Sequence, residues 1–267
     1  MTRRTRLRNS DISHLYVFDF DGTLSSIVHD RNAARLHPAC RELLKDLVRT
    51  PGCAPAVLSS REIGDLSRRV PVPGVILGGA SGLEWRIPGG HRIRPGHVAE
   101  VRRDRAHAPL APLLSRFSVF PGVDVEDKGW SVTVHHRHVL PEAAGMLEPL
   151  LKELEETPGI RVFRGPFAAE AQLFPHVNKS FGVRRLCRFL AVDPSRAQLL
   201  YAGDDENDAV AMRWVLGKGG IAFCVGKPLR VNGARVVANP VELARAIRNL
   251  ATIEPRLNRG KGSMVPT

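Results

Sequence analysis

Residues 15–24 read Leu15-Tyr16-Val17-Phe18-Asp19-Phe20-Asp21-Gly22-Thr23-Leu24: a short apolar run, two aspartates two positions apart, then a glycine. Four consecutive apolar residues with β-branched and aromatic members suit a strand buried on both faces. In open α/β sheets ligands bind beyond the carboxyl ends of strands, so both carboxylates overhang such a site. Gly22 lets the backbone turn sharply and aim amide N–H groups at an anion. Alone, the segment is an Asp-Gly turn with solvated acids.

Three further stations follow in order. Val57-Leu58-Ser59-Ser60-Arg61 is a strand that ends in hydroxyls at a helix start, suited to phosphate oxygens. Asn178-Lys179 opens a helix, and Lys179 can bring a point charge to a phosphoryl group. Tyr201-Ala202-Gly203-Asp204-Asp205-Glu206-Asn207-Asp208 follows another strand, with Asp204 and Asp208 one helical turn apart and able to face one hard cation.

Around these stations the first and last thirds alternate short apolar runs with helical patterns, the mark of a parallel sheet. Expected strands are Leu15–Phe18, Ala54–Leu58, Val75–Leu77, Gln198–Gly203, Ile221–Val225 and Arg235–Ala238. Expected helices are Pro38–Val48, Arg61–Arg69, Lys179–Leu190, Glu206–Val215 and Pro240–Leu250, the last capped by Asn239. The middle, from about His97 to Pro175, reads as helix, hairpin, helix, hairpin. Its strands are Val119–Glu126 with Trp130–His136 around Lys128-Gly129, and Arg161–Arg164 with Ala168–Phe174 around Gly165-Pro166.

This four-motif order resembles the haloacid dehalogenase (HAD) superfamily of phosphotransferases. Asp19 to Ser59 is 40 residues, about one crossover helix and one strand, whereas Ser59 to Lys179 is 120 residues. An insert there resembles the superfamily's C2B cap, with its repeated α-β-β unit. The resemblance implies an α/β fold: a Rossmann-like parallel-sheet core from residues 1–94 and 176–267, with an inserted αββαββ cap domain over 95–175. A narrower resemblance is to trehalose-6-phosphate phosphatases, through Gly79-Ala80-Ser81-Gly82-Leu83-Glu84 and through Glu126-Asp127-Lys128-Gly129-Trp130-Ser131 followed by His135-His136-Arg137. Glu126 and Lys128 alternate onto one strand face, as sugar-hydroxyl ligands would. Ser81 stands where that family has His or Asn, and Gln172-Leu173-Phe174-Pro175 replaces Glu-Leu-Arg-Pro, with Glu170 two residues earlier on the same face. Asn207 and Ala209 replace Thr and Glu of the last motif.

The resemblance implies a phosphoric monoester hydrolase. Asp19 is the nucleophile, Asp21 the acid and base, and Ser59 and Lys179 the phosphoryl ligands. Mg²⁺ is bound by Asp19, Asp21, Asp204 and Asp208. Substrate contacts come from Gly22, Thr23, Arg61, Ser81, Glu126, Lys128, Ser131, Glu170 and Gln172. The expected substrate is trehalose 6-phosphate, with another sugar phosphate as the alternative.

Composition agrees with this chemistry. At 267 residues with 43% hydrophobic and 25% charged residues, the chain can bury a sizeable core, and Gly 24 with Pro 20 excludes collagen-like character. The net charge is +12, carried by 32 Arg and 7 Lys against 27 acids. No basic run reaches five residues and no aromatics interleave with basic clusters, so the charge reads as a codon-biased surface, or else as attraction for anionic small substrates, and no nucleic-acid partner is expected. A nucleic-acid-binding protein on such a fold would leave the acidic motifs unexplained. Cys40, Cys53, Cys187 and Cys224 lack metal spacing and read as buried thiols of a reduced compartment. No apolar run reaches membrane-spanning length, and Thr2–Asn9 reads as a cytosolic tail, since Asp19 and Asp21 cut short the apolar stretch that follows. A cytoplasmic protein is therefore expected, and a monomer fits. The stretch Arg256–Thr267 reads as a disordered tail.

Overall fold

The computed structural model describes residues 12–28 and 31–257. The basic N-terminal stretch and the C-terminal tail beyond Leu257 lie outside these. The first part of the chain builds β1 (His14–Phe18), α1 (Pro38–Arg49), β2 (Cys53–Leu58), α2 (Ile63–Arg69), β3 (Ile76–Gly79), β4 (Glu84–Ile87) and β5 (His91–Ile93). A middle part follows with α3 (His97–His107), α4 (Ala111–Ser118), β6 (Asp124–Asp127), β7 (Ser131–His135), α5 (Ala144–Glu156), β8 (Arg161–Arg164) and β9 (Ala168–Gln172). The last part adds α6 (Lys179–Phe189), β10 (Gln198–Gly203), α7 (Glu206–Leu216), β11 (Ile221–Val225), β12 (Arg235–Val237) and α8 (Pro240–Leu257).

Eight strands form one sheet in the order β12-β11-β10-β1-β2-β3-β4-β5, parallel except where β4 and β5 turn back. Alternation along β1 sends Tyr16 and Phe18 to one face, against Leu43, Leu44 and Leu47 of α1, Leu66 of α2 and Leu243 and Ile247 of α8. Leu15 and Val17 go to the other, against Val183 and Leu186 of α6 and Met212 and Val215 of α7. Both faces are covered, which is why these strands read as continuous apolar runs. β1 lies between β2 and β10, so the chain leaves it in opposite directions; the crevice beyond its carboxyl end is the sheet's switch point.

The middle part makes a separate antiparallel sheet, β6-β7-β9-β8. One face, with Val132, Val134, Ala169 and Ala171, packs on Leu113 and Phe117 of α4 and Leu147, Leu151 and Leu154 of α5. The other carries Glu126, Thr133 and Glu170 in one cross-strand row.

Two expectations change. Val119–Val123 is not strand: α4 ends at Ser118, Pro121-Gly122 turns the chain with Gly122 at φ +82°, and a Cβ on Gly122 would stand 2.3 Å from the His138 carbonyl oxygen. The β4–β5 hairpin was not read from the sequence. Trp85 is buried and Ile87 and Ile93 pack beside it on the large sheet's core, around a Gly89-Gly90 turn.

Candidate active site

Each station sits where an element of the large sheet ends. Asp19 follows β1, and its N–H donates to the Ala202 carbonyl, extending the ladder by one residue and fixing the side chain's direction. Ser59 follows β2, Asp204 follows β10, and Lys179 opens α6 behind Asn178, whose side chain accepts from the Phe181 N–H as a helix cap. Lys179 Nζ donates to Asp19 Oδ1 at 2.7 Å and to Asp208 Oδ1 at 2.6 Å. Asp19 is 3% exposed, Lys179 5% and Asp208 0%.

Burial works against the Lys179 charge, but the facing carboxylates of Asp19 and Asp208 outweigh it and hold its pKa well above the ordinary lysine value. Burial also pushes the Asp19 carboxyl up, with Lys179 opposing and the neighbouring acids adding. Burial and then the Asp208 charge raise Asp204 to about 7. Three crowded carboxylates with raised pKa values want a cation. Asp19, Asp204 and Asp208 present oxygens within 4.8 Å of one another, a hard donor set that fits a divalent metal.

Asp208 does more than add charge. Its Oδ2 accepts from the Asp204 and Asp205 N–H groups at 3.1 and 3.2 Å, while Oδ1 takes Lys179 and the buried Tyr201 hydroxyl, the latter at 2.6 Å. Asp205 caps α7 in return, accepting from the Asn207 and Asp208 N–H groups. Gly22 has φ +77°, and a Cβ there would fall 2.0 Å from Asp204 Oδ2, so only glycine lets the two loops meet. Thr23 is fully buried and its hydroxyl lies 3.5 Å from Asp204 Oδ1.

Asp19, Lys179 and Asp204 line a cavity of about 340 Å³ with Asp21, Gly22, Ser60, Arg61 and Asp205, and Lys128 adds to its wall from the smaller sheet's hairpin. Ser59 stays beneath, its oxygen accepting from the Arg61 N–H at 3.1 Å. Arg61 grips both oxygens of Asp21 at 2.7 Å. The remaining candidates are divided. Lys128 Nζ and Ser131 Oγ both donate to Glu170 Oε1, at 3.1 and 2.8 Å. Glu126 pairs instead with His135 at 3.2 Å. Ser81 and Gln172 face a second, much smaller cavity of about 20 Å³, where the Gln172 carbonyl oxygen is enclosed without a hydrogen-bond partner. Phe174 packs against Trp130 with the rings tilted and their centroids 5.5 Å apart, and Trp130 Nε1 donates to Glu84 Oε1 at 2.8 Å, tying the smaller sheet to β4.

Asp205 and Tyr201 stand within the sequence motifs without an expected role. Tyr201 carried a signal: a tyrosine in a strand buried on both faces needs a polar partner for its hydroxyl.

The fold is that of the HAD hydrolases: a haloacid dehalogenase-like hydrolase from Bacteroides thetaiotaomicron superposes with a TM-score of 0.64 at 15% identity, over 89% of this chain and 99% of that one. The C-terminal domain of the C. albicans trehalose-6-phosphate phosphatase superposes with a TM-score of 0.75 at 20% identity, over 91% and 94% of the two chains. A family model described as Trehalose-phosphatase matches residues 17–227, and the chain belongs to that family. The trehalose-phosphate phosphatase of Mycobacterium tuberculosis (strain H37Rv) is 34% identical over 212 residues, 78% of this chain. The chain spans about half the length of the curated relatives it matches, 52% in that case. Among the described residues no helix is long and apolar enough to cross a membrane.

Proposed function

We propose that the chain is a Mg²⁺-dependent phosphatase that hydrolyses trehalose 6-phosphate through a phosphorylated Asp19. The observation that carries this reading is the contact of Lys179 with Asp19, beside Asp204, at the floor of a cavity open to a sugar-sized ligand. The family membership and the names of the relatives support the choice of substrate.

In this reading Asp19 and Asp204, with the Asp21 main-chain carbonyl, would hold the metal. Both oxygens of Asp208 are already committed to hydrogen bonds, so it orients Lys179 and the Asp204 loop. When bound, the cation offsets the repulsion between a carboxylate nucleophile and a dianionic phosphate. Lys179 opposes the burial that raises the Asp19 pKa and aims its carboxylate, and Lys179 and the Ser59 hydroxyl hold phosphoryl oxygens. Asp21 protonates the leaving sugar oxygen, then as a carboxylate takes a proton from the water that cleaves the Asp19 acyl phosphate. Residues 95–175 act as the cap, bringing Lys128, Ser131 and Glu170 to the sugar and excluding water.

Phosphate release from trehalose 6-phosphate and a panel of sugar phosphates, with Mg²⁺ and with EDTA, tests this. The expected result is Mg²⁺-dependent release that favours trehalose 6-phosphate by orders of magnitude. A faster rate on another sugar phosphate would keep the chemistry and make Ser81, Gln172 and Phe174 the specificity switch. No release from any of them would remove the enzymatic reading.

A further inference from the structure

Arg61 is 4% exposed and each nitrogen of its guanidinium donates to a carboxylate. Nε and Nη2 each donate to one oxygen of Asp21 at 2.7 Å, and Nη1 donates to Asp65 Oδ2 at 2.8 Å. Its plane lies over the Phe20 ring, 5.6 Å from the centroid. Asp65 is held in turn by Arg69, whose Nε donates to it at 2.7 Å and whose Nη1 reaches the Ala34 carbonyl at 2.7 Å. A chain of charge-assisted contacts thus runs from Asp21 through α2 to the segment after β1. A guanidinium whose three nitrogens all point at carboxylates does not offer its fork to a phosphate.

We propose that Arg61 is a positioning residue for Asp21, not a ligand of the substrate's phosphate, and that Asp65 holds Arg61 for that task. The inference rests on the phosphatase reading, in which Asp21 moves two protons. In the first step the Asp21 carboxyl gives its proton to the ester oxygen as that oxygen's bond to phosphorus breaks and the Asp19–phosphorus bond forms. In the second, the Asp21 carboxylate takes a proton from water as the water oxygen bonds to phosphorus and the Asp19 oxygen leaves. Both steps need the Asp21 carboxyl group aimed into the cavity. A leaving group that departs as a stable anion, such as p-nitrophenolate, needs Asp21 only in the second.

Arg61→Lys keeps the charge and loses the two-pronged grip. With trehalose 6-phosphate, kcat of this variant should fall about 100-fold while KM stays within about threefold. With p-nitrophenyl phosphate and enzyme in excess, the first release of nitrophenolate should stay within about threefold of wild type while multiple turnover slows. Asp65→Asn, which keeps Arg61 but frees it, should give the same split at about tenfold, and it carries the test if Arg61→Lys does not fold. Restoration of the Arg61→Ala rate by added guanidinium would support the role further.

A raised KM on both substrates with a slowed first turnover would make Arg61 a phosphate ligand and overturn the proposal. Equal losses on every step, or no loss, would overturn it as well. A wild-type enzyme that releases phosphate from neither ester removes the phosphatase reading itself, a result distinct from either.

Discussion

At the scale of single residues, charge in this site is arranged so that every buried carboxylate has a donor or a counter-charge. Lys179 stands between Asp19 and Asp208, and Asp208 in turn caps the loop that carries Asp204. Asp19→Asn keeps an oxygen for Lys179 and removes the nucleophile. It should abolish phosphate release and leave the melting temperature near that of wild type; retained turnover would exclude a phosphorylated Asp19. Asp65 gives a stability prediction. Burial raises its pKa, but Arg69 and Arg61 outweigh that and bring the carboxyl from 3.8 down to about 2. A carboxylate depressed in the folded state stabilises the fold above its unfolded pKa and loses that contribution as pH falls through the folded value. Asp65→Asn should therefore cost about 2 kcal/mol at pH 7, with the difference shrinking below pH 4 and vanishing only below about pH 2. Urea unfolding across that range measures it, and a constant difference would assign the loss to packing.

At the scale of elements, the placement of Lys179 beside Asp19 depends on a close backbone approach between α6 and the turn after β3. The turn after β3 runs through left-handed backbone at Ala80 (φ 47°), Ser81 (φ 54°) and Gly82 (φ 91°), and meets α6 at Gly182. A Cβ on Gly182 would stand 2.6 Å from the Ser81 carbonyl oxygen and 2.9 Å from Leu58 Cδ2. Gly182→Ala must push α6 off the turn and carry Lys179 with it. The expected cost is about 1–3 kcal/mol of stability and about 10- to 100-fold in kcat, read by thermal melting and steady-state kinetics. Unchanged kcat would show that α6 tilts about Lys179 without moving it. Elements whose period or run of apolar residues was strong were legible: β1, β2, β10, β11, α1 and α7 begin and end within about two residues of expectation. Val119–Val123 misled because its apolar residues belong to a helix end and a Pro-Gly turn, which share no period with a strand.

At the scale of the whole molecule, the two sheets meet where Trp130 bonds Glu84 and where Lys128 adds to the wall of the cavity that Asp19 lines. Among the described residues, Lys128→Ala removes the charge that the smaller sheet's hairpin adds to that cavity and leaves the aspartates untouched. It should raise KM for trehalose 6-phosphate about tenfold or more, a lost charged hydrogen bond, and change p-nitrophenyl phosphate hydrolysis little. Equal effects on both esters would mean that Lys128 acts on the phosphate, not on the sugar. By itself the amino-acid sequence determined the parallel-sheet halves, the interrupting hairpins and the order of the four polar stations along the chain, because strand ends, caps and glycine turns are local and leave marks in the order of residues. Only the tertiary structure decided that Asp208 is spent on Lys179 and Tyr201, that Arg61 grips Asp21, and that Glu126 and Lys128 part company. Those outcomes depend on which buried charge finds which partner across 29, 40 or 42 residues of intervening chain, and no local pattern encodes that choice.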